Sequence, residues 1–257
     1  MSEQDEAGAT PPGGGFPGVD GPAQSTGDTA VNRLAAAVRR INGLTVGRPL
    51  DDADLASAAD ELGALADRLE AAAADGKRVR GQPMAGDHPQ DCFPTSPMVG
   101  FENPIAPPTE VWAVLGEGGQ REIRGRVTFG YQYEGPPTCV HGGAIAELFD
   151  ELLGLANIVA NQAGMTGTLT IRYRRPTPLL APLDLLARTT GRERRKIFTW
   201  GGIYAEGVLT AEAEGIFIEV NPGRMLDIVT SNSHNSDTQL IDPAWRDMIE
   251  RAAGRPH

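Results

Sequence analysis

The segment Gly135-Pro136-Pro137-Thr138-Cys139-Val140-His141-Gly142-Gly143-Ala144-Ile145-Ala146 gathers residue types that can do chemistry. His141 stands before two glycines. Directly after them an apolar stripe begins at helical spacing: Ile145, Leu148, Leu152, Leu155 and Val159, with Phe149 and Ala156 beside it. The glycines therefore fall at a helix N-terminus, whose first amide groups have no intrahelical acceptor. Glycine there lets a ligand come close to the backbone, and the helix dipole favours negative charge. Such a place can hold a phosphate, a carboxylate or the oxyanion of a tetrahedral acyl intermediate. It can equally be a tight strand-to-helix turn with His141 as its cap.

Asp150 follows in the middle of the same helix, where aspartate is a poor helix former. One reading is a solvated stripe shared with Glu147, Glu151 and Asn157; the other is a working carboxylate. Eight residues separate Asp150 from Gly142, about 12 Å along the axis. No Asp side chain spans that distance to serve an oxyanion at Gly142 of its own chain. A two-fold partner with its helix antiparallel would bring a second Asp150 there. If both residues act, the active unit is at least a dimer with two shared sites.

The chain around this helix has 257 residues and a net charge of −11. Residues 1–27 are glycine- and proline-rich with almost no large apolar side chain, the composition of a disordered tail. Residues 28–76 predict a helical hairpin. Its first helix, capped by Asp28, carries Val31, Leu34, Val38 and Ile41 and stops at Gly43. Its second starts at Asp51, carries Leu55, Leu62, Leu65 and Leu69, and ends before Gly76. Packing on the main domain is one role for it; a partner-binding arm is the other. Residues 77–108 predict an irregular connection. Over 109–221, strands are expected near 111–115, 123–129, 168–173, 183–190, 197–205 and 209–220, with the single long helix 142–162 between the second and third. Strands joined without crossover helices form an antiparallel sheet, and the helix must bury its stripe against it, an α+β arrangement. Residues 222–257 read as a polar extension with a short helix from Pro243.

Several chemistries are excluded by their missing signatures. There is no G-x-S-x-G, H-E-x-x-H, C-x-x-C or G-K-[ST] motif. Four His and two Cys lack zinc-like spacing, so neither metal nor cofactor is expected. The acidic balance argues against general affinity for nucleic acid or anionic membrane. Two cysteines and no signal-like or membrane-spanning stretch point to a reducing cytoplasm.

His141-Gly142-Gly143-Ala144-Ile145-Ala146, then Phe149-Asp150, then Thr168-Leu169-Thr170-Ile171-Arg172-Tyr173-Arg174-Arg175-Pro176 resemble the PaaI-like branch of the hotdog-fold acyl-CoA thioesterases. The resemblance covers about residues 100–220. It implies a sheet wrapped around a central helix, dimerisation or a dimer of dimers, and hydrolysis of a fatty or aromatic acyl-CoA. By position, the Gly142 amide would be the oxyanion donor, with Gly143 beside it, and His141 would shape the turn and orient the thioester. Asp150 of the partner subunit would be base or nucleophile, and Thr166 would position that carboxylate or the water. Many relatives carry an Asn six residues before the His, where this chain has Gly135. Only Cys92 remains of the cysteine pair that relatives often place before Asn103-Pro104.

Eight bases lie within 172–196, against Asp184 and Glu193. Arg174, Arg175, Arg194, Arg195 and Lys196 are the candidates to meet coenzyme A phosphates. The alternative is a set of edge-strand charges that discourage aggregation. Pocket depth would depend on packing around Phe149, Leu153 and Phe198. The missing side-chain donor at residue 135 leaves a second function open, a non-catalytic acyl-CoA or lipid-binding module with the helical arm as its docking device.

Overall fold

In the computed structural model the structure describes residues 29–73, 88–162 and 164–221. The expected N-terminal tail and the C-terminal extension with its short helix lie outside them. The order is α1 (Ala30–Gly47), α2 (Asp52–Ala72), β1 (Thr109–Leu115), β2 (Arg121–Thr128), α3 (Gly142–Val159), β3 (Gly164–Tyr173), β4 (Pro182–Glu193), β5 (Lys196–Ala205) and β6 (Val208–Glu219).

The strands form one antiparallel sheet in the order β1-β2-β4-β5-β6-β3. A Glu206-Gly207 turn with both φ positive joins β5 to β6, as the sequence predicts. The chain passes through α3 between β2 and β3, and this sends β3 to the far edge beside β6. Alternation puts Leu183, Leu185 and Ala187 of β4, Ile197 and Ile203 of β5, and Ala211, Ala213 and Phe217 of β6 on one face. There they meet Ile145, Leu148, Phe149, Leu152, Leu153 and Ala156 of α3.

The helix lies close to the sheet because two strands carry glycine beneath it. A Cβ on Gly215 would stand 2.5 Å from Thr199 Oγ1 and 3.0 Å from Leu153 Cδ1. A Cβ on Gly201 would stand 3.1 Å from Leu153 Cδ2. Leu153 thus fills the space those two glycines leave.

The opposite face mixes ion pairs with apolar groups, among them the buried Leu186 and Tyr204. Arg124 binds Glu122 and Arg174 binds Glu212, both acids being buried, and Trp200 Nε1 donates to Glu212 Oε2 at 3.2 Å. The Arg188 guanidinium lies 5.4 Å from the Trp200 ring centroid. Phe198 shares the parity of Trp200 and Tyr204 and so faces away from α3, outside any pocket built with Phe149 and Leu153.

Three helical expectations change. Thr29 caps α1, its Oγ1 accepting from the Asn32 N–H, and α1 runs through Gly43 to Gly47. Gly43 is not among the positive-φ glycines, so nothing there breaks the helix. α3 stops at Val159, because Asn161 takes a left-handed φ of 55°. α2, at 21 residues, is longer than α3, and none of its residues is buried. α1 does dock on the body: Arg39 donates to the carbonyl oxygens of Phe101 and Asn103. The connection before β1 is also better anchored than its composition suggests. Gln90 is buried in a 3₁₀ turn and accepts the Val111 N–H at 2.6 Å.

Leu153→Ala is expected to cost about 2–5 kcal/mol, because neither glycine beneath it can fill the void. Urea denaturation of the two proteins would measure this. A loss under about 1 kcal/mol would contradict the packing described.

Candidate active site

His141 is the N-cap of α3, with extended backbone. Its ring caps the helix, Nδ1 accepting the Gly143 N–H at 2.9 Å. A ring nitrogen that accepts carries no proton, so the neutral ring bears its proton on Nε2. The capping role and a functional role are therefore compatible: the cap leaves an exposed side chain with an Nε2–H to donate.

The same peptide is held from its other side. Tyr173, the last residue of β3, donates its hydroxyl to the Gly142 carbonyl oxygen at 2.8 Å. That oxygen and the Gly143 N–H belong to one peptide group. A donor on the oxygen polarises the N–H, so the Tyr173 bond strengthens the bond to His141. The path runs Tyr173 hydroxyl, Gly142–Gly143 peptide, His141 Nδ1. Tyr173 is absent from the residues expected from sequence. It stands in the alternation Leu169, Ile171, Tyr173, and nothing local distinguishes it from a strand residue awaiting burial.

Asp150 is exposed on α3, and the Thr166 hydroxyl of β3 donates to its Oδ1 at 2.7 Å. This fixes one carboxylate oxygen and leaves Oδ2 for another donor. The structure thus brings Asp150 to Thr166, and His141 to Gly142 and Gly143. It keeps the two groups at separate stations of one helix, eight residues apart and about 12 Å along its axis.

The other polar residues of α3 do not form a single solvated stripe. Asn157 is buried, and among the described residues neither polar atom of its side chain has a hydrogen-bond partner. Glu151 is half-buried, and Ser96 donates to its Oε1 at 2.8 Å while accepting the Met98 and Val99 N–H groups. Burial holds the Glu151 carboxyl above its ordinary range; Ser96 opposes this, and Asp150 and Glu147 add to it. Behind His141, the Tyr133 carbonyl accepts the His141 N–H at 2.8 Å, and the Tyr133 hydroxyl donates to the Ile105 carbonyl. Burial pushes the Tyr133 phenol up to about 12, opposed by Arg39 and aided by Glu147.

Gly135 has a steric reason. A Cβ there would stand 2.7 Å from His141 Cα, and the Gly135 N–H donates to the Cys139 carbonyl at 3.0 Å. The turn into α3 is too tight for any side chain at this position. Cys92 and Cys139 are free thiols. Among the described residues, no three His, Cys, Asp or Glu are grouped to hold a metal, and no helix is long and apolar enough to cross a membrane.

The bases do not converge on one point. Thr166 pairs in register with Phe217, and Phe217 with Ile197, so Arg194, Arg195 and Lys196 lie at the Thr166 end of the sheet. Arg174 and Arg175 lie at the other end, beyond Tyr173. Arg174 is committed to Glu212, with its Nε 2.9 Å and its Nη2 2.5 Å from Oε1. Arg195 donates to the Glu219 carbonyl. Arg194 occupies the β4–β5 turn with φ 53°. Arg175 and Lys196 are exposed.

Two outcomes are expected from these contacts. Tyr173→Phe removes a donor from the Gly142–Gly143 peptide, so the His141 ring should lose part of its Nε2–H preference. Nitrogen-15 NMR of the histidine ring reads the tautomer directly, and an unchanged ratio would refute the link. Glu151→Gln removes a carboxylate whose ionisation folding disfavours. The raised value makes wild-type stability fullest below the ordinary carboxyl pKa and lowers it as pH rises through the folded-state value. The variant's Tm should match wild type near pH 4 and exceed it near pH 8; a gap that narrows with rising pH would contradict the assignment.

No protein-family model matches the chain. The mouse (Mus musculus) acyl-coenzyme A thioesterase THEM4 is 36% identical over 99 residues, 38% of this chain and 43% of that protein. The Xenopus laevis THEM4 is 34% identical over 91 residues, 35% of this chain and 41% of that protein. The chain therefore spans about two-fifths of the length of these curated relatives. A crystal structure described as a thioesterase superfamily protein is 36% identical, with a TM-score of 0.62 over 76% of this chain and 97% of that one. The antiparallel sheet, the helix seated on it and near-complete coverage of that relative place this chain in the thioesterase superfamily, with the PaaI-like hotdog fold.

Proposed function

We propose that this protein is an acyl-CoA thioesterase whose sites are each completed by two copies of the chain. The observation that carries the reading is the pair of prepared stations on α3: a first turn with an oriented His141, and Asp150 held by Thr166. The curated relatives named acyl-coenzyme A thioesterase support the substrate class.

The thioester carbonyl oxygen lies against the Gly142 N–H, which as a first-turn amide has no intrahelical acceptor. The His141 Nε2–H is the second donor to the substrate. Asp150 of the partner subunit takes a proton from water through the oxygen that Thr166 leaves open. The water attacks the carbonyl carbon, and the negative charge that develops on oxygen meets the helix N-terminus. Collapse of the tetrahedral intermediate breaks the C–S bond, the leaving sulfur of coenzyme A takes the proton held by Asp150, and the carboxylic acid releases its own proton to solvent and leaves as a carboxylate. A thioester is an activated acyl group, so one carboxylate and an oxyanion site suffice.

The shared-site arrangement also unites the bases. A two-fold partner with antiparallel helices brings Arg194, Arg195 and Lys196 of one copy toward the Gly142 end of the other, where Arg175 lies. Four bases then face the phosphates of one bound coenzyme A. Arg174, neutralised by Glu212, holds the strand instead. The outward face of β3 fits the same arrangement: most of this strand is exposed, and as an edge strand it has a free side. Gly135 is the one observation that favours a non-catalytic binder, since a side-chain donor is missing there. The same tight turn, however, aims His141, which supplies a donor of its own.

Complementation tests both parts of the proposal. Asp150→Ala and His141→Ala should each lose about 100-fold or more of acyl-CoA hydrolysis, read as thiol release. Mixing and refolding the two variants should recover up to about a quarter of the wild-type rate, because a statistical half of the dimers then hold one intact site of two. Near-normal turnover by Asp150→Ala would overturn its role. Two inactive variants that never complement would overturn the sharing.

A further inference from the structure

Among the described residues, α2 is an amphipathic helix on which no other helix or strand packs closely. Leu55, Leu62 and Leu69 are 39%, 38% and 46% exposed, and no residue of the helix is buried. The three leucines are spaced by seven residues. Three residues after each stand Ala58, Leu65 and Ala72. An apolar repeat of this kind keeps its stripe on one line only when the helix winds against another helix, because 3.5 residues per turn is the coiled-coil period. The acids Asp60, Asp67 and Glu70 fall away from the stripe, which leaves the seam itself uncharged.

We propose that α2 pairs antiparallel with α2 of a second copy of this chain, about a two-fold axis between residues 63 and 64. In that register Leu62 faces Leu65 of the second copy, Leu55 faces Ala72, and Leu69 faces Ala58. Each outer layer matches one large with one small side chain, and the two central layers are leucine on leucine. A parallel pair would instead stack alanine on alanine in two layers and leave gaps. Charge selects the same orientation. Glu61 and Arg68 flank the seam on one side, and the antiparallel register sets each beside the other on the second copy. Arg68 is the only base on the helix. In a parallel pair Glu61 and Arg68 would each meet alanine, Ala66 and Ala73. A closed two-fold contact is also what a homo-oligomer tolerates without growing into fibres. A seam of three heptads is short. Its strength would come from tethering, and here the inference rests on the shared-site dimer proposed above, which would already hold the two chains together.

This surface does not depend on acyl chemistry, so its test reads covalent capture and not turnover. In the full chain, Glu61→Cys with Arg68→Cys should give an intermolecular disulfide under mild oxidation at low micromolar concentration, seen as a doubled mass on a denaturing gel. The two positions lie about 10.5 Å apart along one helix, too far to bridge within a chain. Glu61→Cys with Ala66→Cys, which would report a parallel pair, should crosslink at least tenfold more slowly. Wild type under the same oxidation accounts for Cys92 and Cys139. Adding Leu62→Asp to the first pair should slow capture at least tenfold while hydrolysis of acyl-CoA, measured alongside, reports that the body is folded. No capture in either pair, faster capture in the second, or capture indifferent to Leu62→Asp would each overturn the proposal.

Discussion

A single rigid rod sets the terms for this protein. α3 carries the first-turn amides at one end and Asp150 eight residues on, and an α-helix cannot shorten to bring them together. Everything else serves to hold that rod at a fixed height and angle. Gly201 and Gly215 let it lie against the sheet, Leu153 fills the space between, and β3 touches it at both stations through Tyr173 and Thr166. Because β3 is one strand, the two stations are also fixed relative to each other from outside the helix.

The polar contacts follow a common economy. A protein that must present an unpaired amide at a helix start still has to order the groups around it. Here one peptide group is bonded on its oxygen by Tyr173 and on its nitrogen by His141, while the neighbouring Gly142 N–H, in the first turn, has no intrahelical acceptor. The N–H of His141 goes to the Tyr133 carbonyl, and Tyr133 is itself buried and hydrogen-bonded to the chain before β1. Arg39 of α1 reaches the same loop. α1 therefore joins the body on the wall behind His141.

Much of this was legible in the sequence. Alternation marked β2 and β3, runs bounded by turns or prolines marked the other four strands, and the stripe from Ile145 to Val159 marked the helix. The His141-Gly142-Gly143 run and the step to Asp150 marked the two stations. What stayed hidden depends on distant residues. Tyr173 looks like any strand residue until the fold sets it beside Gly142. Glu151 and Asn157 share polarity with Asp150, yet the segment around Ser96 half-covers the first, and the second is buried. Gly135 reads as a lost donor until the turn shows that His141 occupies the space. Arg174 belongs to the basic run in sequence but is spent on Glu212, 38 residues on in the chain and on β6, the strand beside β3 in the sheet.

The close seating of α3 also decides where a fatty or aromatic tail could go. With Leu153 pressed into two glycine-lined gaps, helix and sheet are in direct contact at that point. In the shared-site dimer proposed above, a tail starting from Gly142 would run along the outward side of the rod, over a floor from one subunit and under a roof from the other. Its permitted length would then be a property of the assembled pair, and the same chain in a differently docked pair would select a different substrate.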